Sequence, residues 1–122
     1  MLETWVAKIK TNDPIQVVSL YHDDGFLLGT FSDIERKGHD LILKYFQNLF
    51  KSQVDVEIVT EHKHETESLI TNSGLYNFIV DGKTVNARFS FVFIKPMILG
   101  KSYHITLQFF LKAIRLLIIT NL

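Results

Sequence analysis

Two long segments joined by Asp81-Gly82 constrain the fold more than any other feature of this sequence. Residues 69–80 and 83–95 are rich in aromatic and β-branched side chains, which favour strands. An Asp-Gly pair between two such segments is a strong signal for a two-residue hairpin loop. That loop sets the register of the two strands and places Tyr76 opposite Ala87. The sequence therefore predicts a long antiparallel hairpin.

The side chains of this hairpin fall onto two faces, because successive residues of a strand point to opposite sides. One face carries Tyr76, Phe78, Phe89, Phe91 and Phe93, and the other carries Leu75, Asn77, Ile79, Arg88, Ser90 and Val92. Both faces hold more apolar surface than a monomer usually leaves in water. We expect the first face to line the core. The second face should contact another copy of the chain, which predicts a homodimer with an interface around Leu75, Asn77, Arg88 and Ser90.

Before the hairpin, the apolar residues are spaced as they are in helices. Apolar residues within positions 2–9 form one stripe, Pro14 suits the first position of a second short helix, and a third helix begins near Gly38. Apolar and polar residues alternate over positions 54–58, as in a half-buried strand. This order predicts an α+β fold, with N-terminal helices packed on a curved, mostly antiparallel sheet. A length of 122 residues suits one domain that spans the whole chain.

Composition excludes several classes of function. Thirteen Lys and Arg residues balance thirteen Asp and Glu residues, so there is no broad basic field to bind nucleic acid or an anionic membrane. The chain has no cysteine, which rules out disulfides and cysteine-ligated metals. Its first ten residues include Glu3, Lys8 and Lys10 and lack the apolar run of a signal peptide. We therefore expect a cytoplasmic protein with no cofactor, no nucleic-acid partner and no membrane partner.

Several short segments carry a family resemblance. They are residues 13–21 (DPIQVVSLY), 24–30 (DGFLLGT), 36–38 (RKG) with Tyr45-Phe46, 74–78 (GLYNF) and 87–93 (ARFSFVF). These segments resemble the nuclear transport factor two-like superfamily, in the branch of the SnoaL-like proteins and the calcium/calmodulin-dependent protein kinase II association domain. The resemblance covers about residues 2–95 and implies a cone, in which helices close a curved sheet. Residues 96–122 are atypical of the family, although residues 102–110 suit a last strand.

A cone of this family encloses a pocket between its helices and the concave face of its sheet, the usual place for a ligand. The resemblance implies a pocket lined by Trp5, Tyr21, Tyr45, Tyr76, Phe78, Phe89 and Phe91. The same aromatic residues would also serve simply to fill the core. Tyr21 and Asp24 are the candidates for proton transfer, which requires that burial raise the pKa of the carboxyl group toward neutrality. Alternatively, Asp24 only begins the turn into the strand at Gly25.

Polar residues within the predicted strands indicate a charge pair more than a metal site. Arg88 interrupts an apolar strand and needs a partner, because an unpaired buried charge is costly. That partner is a carboxylate such as Glu57, a neighbouring subunit or an acidic ligand, and a structural pair is favoured. His62 and His64 would share one strand face as two metal ligands do, but no third ligand at a typical spacing accompanies them. We therefore expect no metal.

These features together predict a ligand-binding or self-association domain similar to the kinase association domain. Its partners would be a second copy of itself and a small hydrophobic or acidic molecule. The alternative is an enzyme like SnoaL or ketosteroid isomerase that acts on a small hydrophobic molecule. No Ser–His–Asp set or phosphate-binding loop is visible, so a non-catalytic role is favoured. A buried carboxylate in a closed pocket would favour the enzyme, whereas a pocket filled by side chains would favour association.

Overall fold

The computed structural model of the protein describes residues 1–94 and 104–107. Its helices are α1 (Leu2–Lys10), α2 (Pro14–Val18) and α3 (His39–Leu49). Its strands are β1 (Tyr21–Leu27), β2 (Arg36–Lys37), β3 (Val54–Ile58), β4 (His62–Glu65), β5 (Leu69–Val80), β6 (Lys83–Ile94) and β7 (His104–Leu107). None of the described helices has the length and apolar content that crossing a membrane would take.

The described strands form one seven-stranded sheet, so the predicted α+β fold is confirmed. The strand order is β2-β1-β7-β6-β5-β3, and β4 pairs with β5 beyond the end of β3. β1 and β7 are parallel, and the other described pairs are antiparallel. β5 and β6 form the predicted hairpin, with Tyr76 opposite Ala87. Asp81 and Gly82 have φ angles of 49° and 81°, the left-handed geometry that the short loop requires.

The core lies between the inner face of this sheet and the helices. α1 contributes Trp5, whose ring centre lies 5.0 Å from that of Phe91. α3 contributes Phe46, whose ring centre lies 6.0 Å from that of Tyr21 on β1. Burying a side chain of this size stabilises the fold by about 1.5–3 kcal/mol. The face of the hairpin that was predicted to line the core is buried in full, at Tyr76, Phe78, Phe89, Phe91 and Phe93.

Two short strands lie in mostly polar segments of the sequence. β2 falls within residues 31–37 and β4 within residues 61–68. β2 pairs with β1 and β4 pairs with β5, so a neighbouring strand, rather than a side-chain pattern, stabilises each of them. β7 lies within the last strand predicted for residues 102–110. Residues 95–103 and 108–122, including the apolar segment 111–122, lie outside the described residues.

A close approach at Gly74 explains how β5 pairs with two strands along one edge. β3 pairs with β5 down to Tyr76, and β4 pairs with it up to Ser73. Between these two strands, Thr60 crosses over Gly74, and its Oγ1 accepts a hydrogen bond from the Leu75 N–H at 3.0 Å. A Cβ atom on Gly74 would collide with the carbonyl oxygen of Thr60. Glycine is therefore needed here because another backbone approaches the strand.

We expect Gly74→Ala to lower the free energy of unfolding by about 1–3 kcal/mol, because the added methyl group pushes the Thr60 backbone away from β5. Urea denaturation followed by circular dichroism measures this change. Asn86→Ala, at an exposed position on β6, is the control and should change the free energy by less than about 0.5 kcal/mol. Equal stability of Gly74→Ala and wild type would contradict the close approach.

Candidate functional site

The seven aromatic residues predicted to line a pocket are all buried in the core. Five of their rings contact one another, and the ring centre of Tyr76 lies 4.9 Å from that of Phe78 and 5.1 Å from that of Phe89. The rings of Tyr21 and Tyr45 both contact Phe46. A void of only about 10 Å³ remains between them, bordered by Trp5 and Tyr45 among others. A space of that size holds at most one water molecule. Side chains therefore fill the interior, and a ligand-binding role for these residues remains a prediction.

Two buried tyrosines hold the connection between β1 and β2 against this interior. Backbone groups of Thr30 and Phe31 hydrogen-bond to the hydroxyl oxygen of Tyr45, and the Tyr76 hydroxyl lies 3.3 Å from Thr30 Oγ1. Gly29 meets the ring of Tyr45 so closely that a Cβ atom would have no room. Burial raises the pKa of both phenols, that of Tyr76 to about 12, because an ionised oxygen would lose its hydration.

A larger cavity of about 550 Å³ opens outside the filled interior, and we call it the mouth cavity. It is surrounded by the β1–β2 connection, the C-terminal end of α3 and the tip of the β5–β6 hairpin. Its lining includes Phe31, Arg36, Tyr45, Asn48, Val80 and Lys83. Tyr45 also borders the interior void, so its ring lies between the two spaces. The volume of the mouth cavity is within the range of pockets that bind small molecules.

The mouth cavity carries a net positive charge. Arg36 and Lys83 line it, and neither makes an ion pair with any of the described residues. The buried Nε of Arg36 also has no hydrogen-bond partner there. Asp81 is the one carboxylate in the lining, and its Oδ1 accepts a hydrogen bond from the Gln53 N–H at 2.8 Å. The cavity therefore presents two unpaired cations to an incoming molecule. From the sequence, Arg36 was noted only within the RKG segment and Lys83 was not noted as a site residue, because a charge that lines a cavity has the same local pattern as a surface charge.

The two candidates for proton transfer line neither the interior void nor the mouth cavity. Tyr21 is buried at the start of β1, and Asp24 is exposed on the same strand. All thirteen carboxylate side chains of the chain lie among the described residues, and none of them is buried. Burial is what raises the pKa of a carboxyl group toward neutrality. The described residues therefore lack the environment in which a carboxylate acts as a general base near pH 7.

The predicted interface residues share the outer face of the hairpin, where Leu75 lies opposite Arg88 and Ser90 follows two residues along β6. Leu75 is 44% exposed although its side chain is large and apolar. Arg88 does not pair with Glu57, because β5 lies between their two strands. The Glu57 Oε1 instead accepts a hydrogen bond from Asn77 Nδ2 at 2.9 Å. A pair across a subunit interface and an acidic ligand remain as the predicted partners of Arg88.

The two histidines considered as metal ligands lie on β4, at positions 62 and 64 of one strand face. All four residues of this strand are exposed, and Lys63 Nζ lies 3.7 Å from Glu65 Oε1. In residues 1–94 and 104–107, no three His, Cys, Asp or Glu side chains come together in a group that could hold a metal ion.

The sequence matches no protein-family model and no curated protein, whereas the structure is similar to several solved ones. One is a protein from Xanthomonas campestris described as a calcium/calmodulin-dependent protein kinase II association domain. It superposes with a TM-score of 0.77 at 27% identity, over 87% of this chain and 78% of that chain. This is the branch of the superfamily that the sequence segments resemble.

Two further solved structures share the fold at lower identity. A nuclear transport factor two-like protein of unknown function from Pseudomonas putida has a TM-score of 0.73 and 12% identity, over 87% of this chain and 77% of its own. A protein from Parabacteroides distasonis described as a ketosteroid isomerase has a TM-score of 0.72 and 10% identity, over 87% of this chain and 80% of its own. These similarities confirm the fold that the family resemblance implies.

We expect the free energy of unfolding to fall between pH 10 and pH 12, because Tyr76 keeps its proton in the folded state while it ionises near pH 10 in the unfolded chain. The raised pKa therefore contributes stability that is present below pH 10 and is lost as the pH approaches 12. For Tyr76→Phe, the free energy of unfolding should fall by about 1.4 kcal/mol less per pH unit than for wild type. Urea denaturation at several pH values measures it.

Thr30→Ala is the control, because it breaks the hydrogen bond to Tyr76 and leaves the titrating group in place. Its free energy of unfolding should fall with pH in parallel with that of wild type. If the free energy of unfolding of Tyr76→Phe also falls with pH in parallel with that of wild type, Tyr76 is not a phenol that burial keeps neutral.

Proposed function

We propose that this chain, which has the fold of the nuclear transport factor two-like superfamily, is a non-catalytic domain that binds a small acidic molecule in its mouth cavity. The observation that carries this proposal is the pair of cations, Arg36 and Lys83, in a cavity of about 550 Å³ with no carboxylate partner among the described residues. An anion would supply the missing partner. A charged hydrogen bond of this kind contributes about 1.5–3 kcal/mol.

The walls of the mouth cavity support a ligand that also has an apolar part. Leu49 and Val85 line it together with the ring of Tyr45. Pockets for small molecules usually combine such apolar walls with a few polar groups that fix the ligand's orientation. Arg36 and Lys83 would take that orienting role here. An acid with a compact apolar body therefore fits the cavity better than a purely polar ion does.

The alternative function, an enzyme like SnoaL or ketosteroid isomerase, has less support. Such an enzyme would need a carboxylate or a similar base inside a dry pocket. The thirteen carboxylates of this chain are exposed or half-buried, and Asp81 at the mouth cavity already accepts a backbone hydrogen bond. The neighbour described as a ketosteroid isomerase is only 10% identical, which bears on the fold and not on the chemistry.

Self-association is the second function that we propose, and the outer face of the hairpin supports it. Leu75 and Ile94 lie on this face and are 44% and 37% exposed. Both are large apolar residues that a second subunit would remove from water. The similar protein from Xanthomonas campestris is described as an association domain, at 27% identity. We propose a homodimer in which Leu75, Asn77 and Arg88 lie at the interface, whereas Ser90 on the same face is already buried within the single chain.

We expect wild type to bind 2-naphthoate, and Arg36→Gln to weaken this binding by about tenfold to a hundredfold, because it removes one charged hydrogen bond. Isothermal titration calorimetry measures the dissociation constants. Lys37→Gln is the matched control, since Lys37 is an exposed neighbour on β2 outside the cavity lining, and it should bind as wild type does. Equal affinity for 2-naphthamide, the neutral analogue, would contradict recognition of the acid group.

We expect light scattering to give wild type twice the chain mass of 14.1 kDa at tens of micromolar. Leu75→Lys should give the single-chain mass, because it places a charge on the apolar outer face. Ile15→Lys is the control, since Ile15 is 70% exposed on α2, away from the sheet, and this variant should remain dimeric. A single-chain mass for wild type would refute the dimer and leave the ligand proposal untouched.

A further inference from the structure

Phe31 is a large apolar side chain that the fold leaves partly in water. The residue is 44% exposed, yet its ring contacts that of Phe78 edge-on, with ring centres 5.4 Å apart and an angle of 74° between the planes. Phe31 lines the mouth cavity, and Phe78 borders the interior void. The Phe31 ring therefore lies at the boundary between the open cavity and the filled aromatic interior. We infer that it is a displaceable cover, and that the ligand carries an aromatic ring which takes its place against Phe78.

The backbone that carries this ring is held more firmly than the ring itself. Gly29 packs directly on Tyr45, Thr30 lies 3.3 Å from the Tyr76 hydroxyl, and the Phe31 backbone hydrogen-bonds to Tyr45. The Phe31 side chain makes one ring contact among the described residues, the one with Phe78. A rotation about χ1 would therefore move the ring into solvent and leave the β1–β2 connection in place.

An incoming aromatic ring would restore the contact that Phe31 gives up. Edge-to-face packing on Phe78 is available to any ring of similar size, because it depends on the quadrupoles of the two rings. Arg36 and Lys83 line the same cavity as Phe31. A molecule with a carboxylate on one side and a flat ring on the other would therefore contact the cations and Phe78 at once. This makes Phe31 a specificity-determining residue, which limits how large a ring can enter.

This inference rests on the proposed function, and ring size tests it separately from the acid group. Acetate and 2-naphthoate share a carboxylate but differ in apolar body, and calorimetry measures both. We expect Phe31→Ala to bind 2-naphthoate about tenfold more tightly than wild type, because no side chain has to leave Phe78. The ratio of its affinities for 2-naphthoate and acetate should therefore rise about tenfold. Phe31→Trp should lower this ratio below that of wild type, since a larger ring must be displaced.

Ile34→Ala is the matched control, because Ile34 is 57% exposed in the same connection and lines neither cavity. It should bind both acids as wild type does. Phe31→Leu serves as a second variant if Phe31→Ala does not fold, and it too should favour 2-naphthoate. If Phe31→Ala binds 2-naphthoate no more tightly than wild type does, while Arg36→Gln still weakens binding, the inference that Phe31 is a displaceable cover is wrong and the proposed function stands. Absence of binding to either acid in every variant would overturn the proposed function as well.

Discussion

The pairing of β5 with β6 is the constraint on which the rest of this structure depends. Twelve consecutive residues of each strand are in register without a bulge, from Leu69 opposite Ile94 to Val80 opposite Lys83. Because the side-chain period is two, a slip of one residue would exchange Phe89 with Arg88 and turn the core face toward water. The remaining sheet is built outward from this pair, with β3 and β4 on β5 and β7 on β6.

The tip of this hairpin also creates the mouth cavity, because it extends past the filled interior. Asp81 at the tip and Gln53 after α3 exchange two hydrogen bonds, each 2.8 Å long. The side chain of Asn12, between α1 and α2, likewise bonds both the N–H and the carbonyl of Val54, at 2.9 and 2.7 Å. The bonds of Asp81 hold the hairpin tip, which lines the cavity, against the segment that follows α3, and those of Asn12 tie the same segment to the N-terminal helices.

The sequence predicted the parts of the fold that a repeating pattern encodes, and the parts that depend on distant neighbours were not predictable from it. The Asp81-Gly82 loop and the alternation around it were sufficient for the hairpin, its register and its buried face. β4 has an exposed polar sequence and is a strand only because β5 pairs with it. Arg88 and Glu57 looked like a plausible pair because both are charges on strands, but which strand lies between them is decided by the sheet order. The position of Arg36 at a cavity was hidden for the same reason.

The buried, neutral hydroxyl groups of two core tyrosines hydrogen-bond to a segment that lines the open cavity. A phenol inside a core must be hydrogen-bonded, because an unsatisfied polar group there is costly. Tyr45 and Tyr76 meet that need with Thr30 and Phe31, which belong to the β1–β2 connection and not to the core elements. The interior therefore holds this connection in place through backbone groups of Thr30 and Phe31 and the Thr30 hydroxyl, while the Phe31 side chain lines the mouth cavity. A fold with a filled core can in this way keep an open cavity at its rim, since the packed core also positions the residues around that cavity.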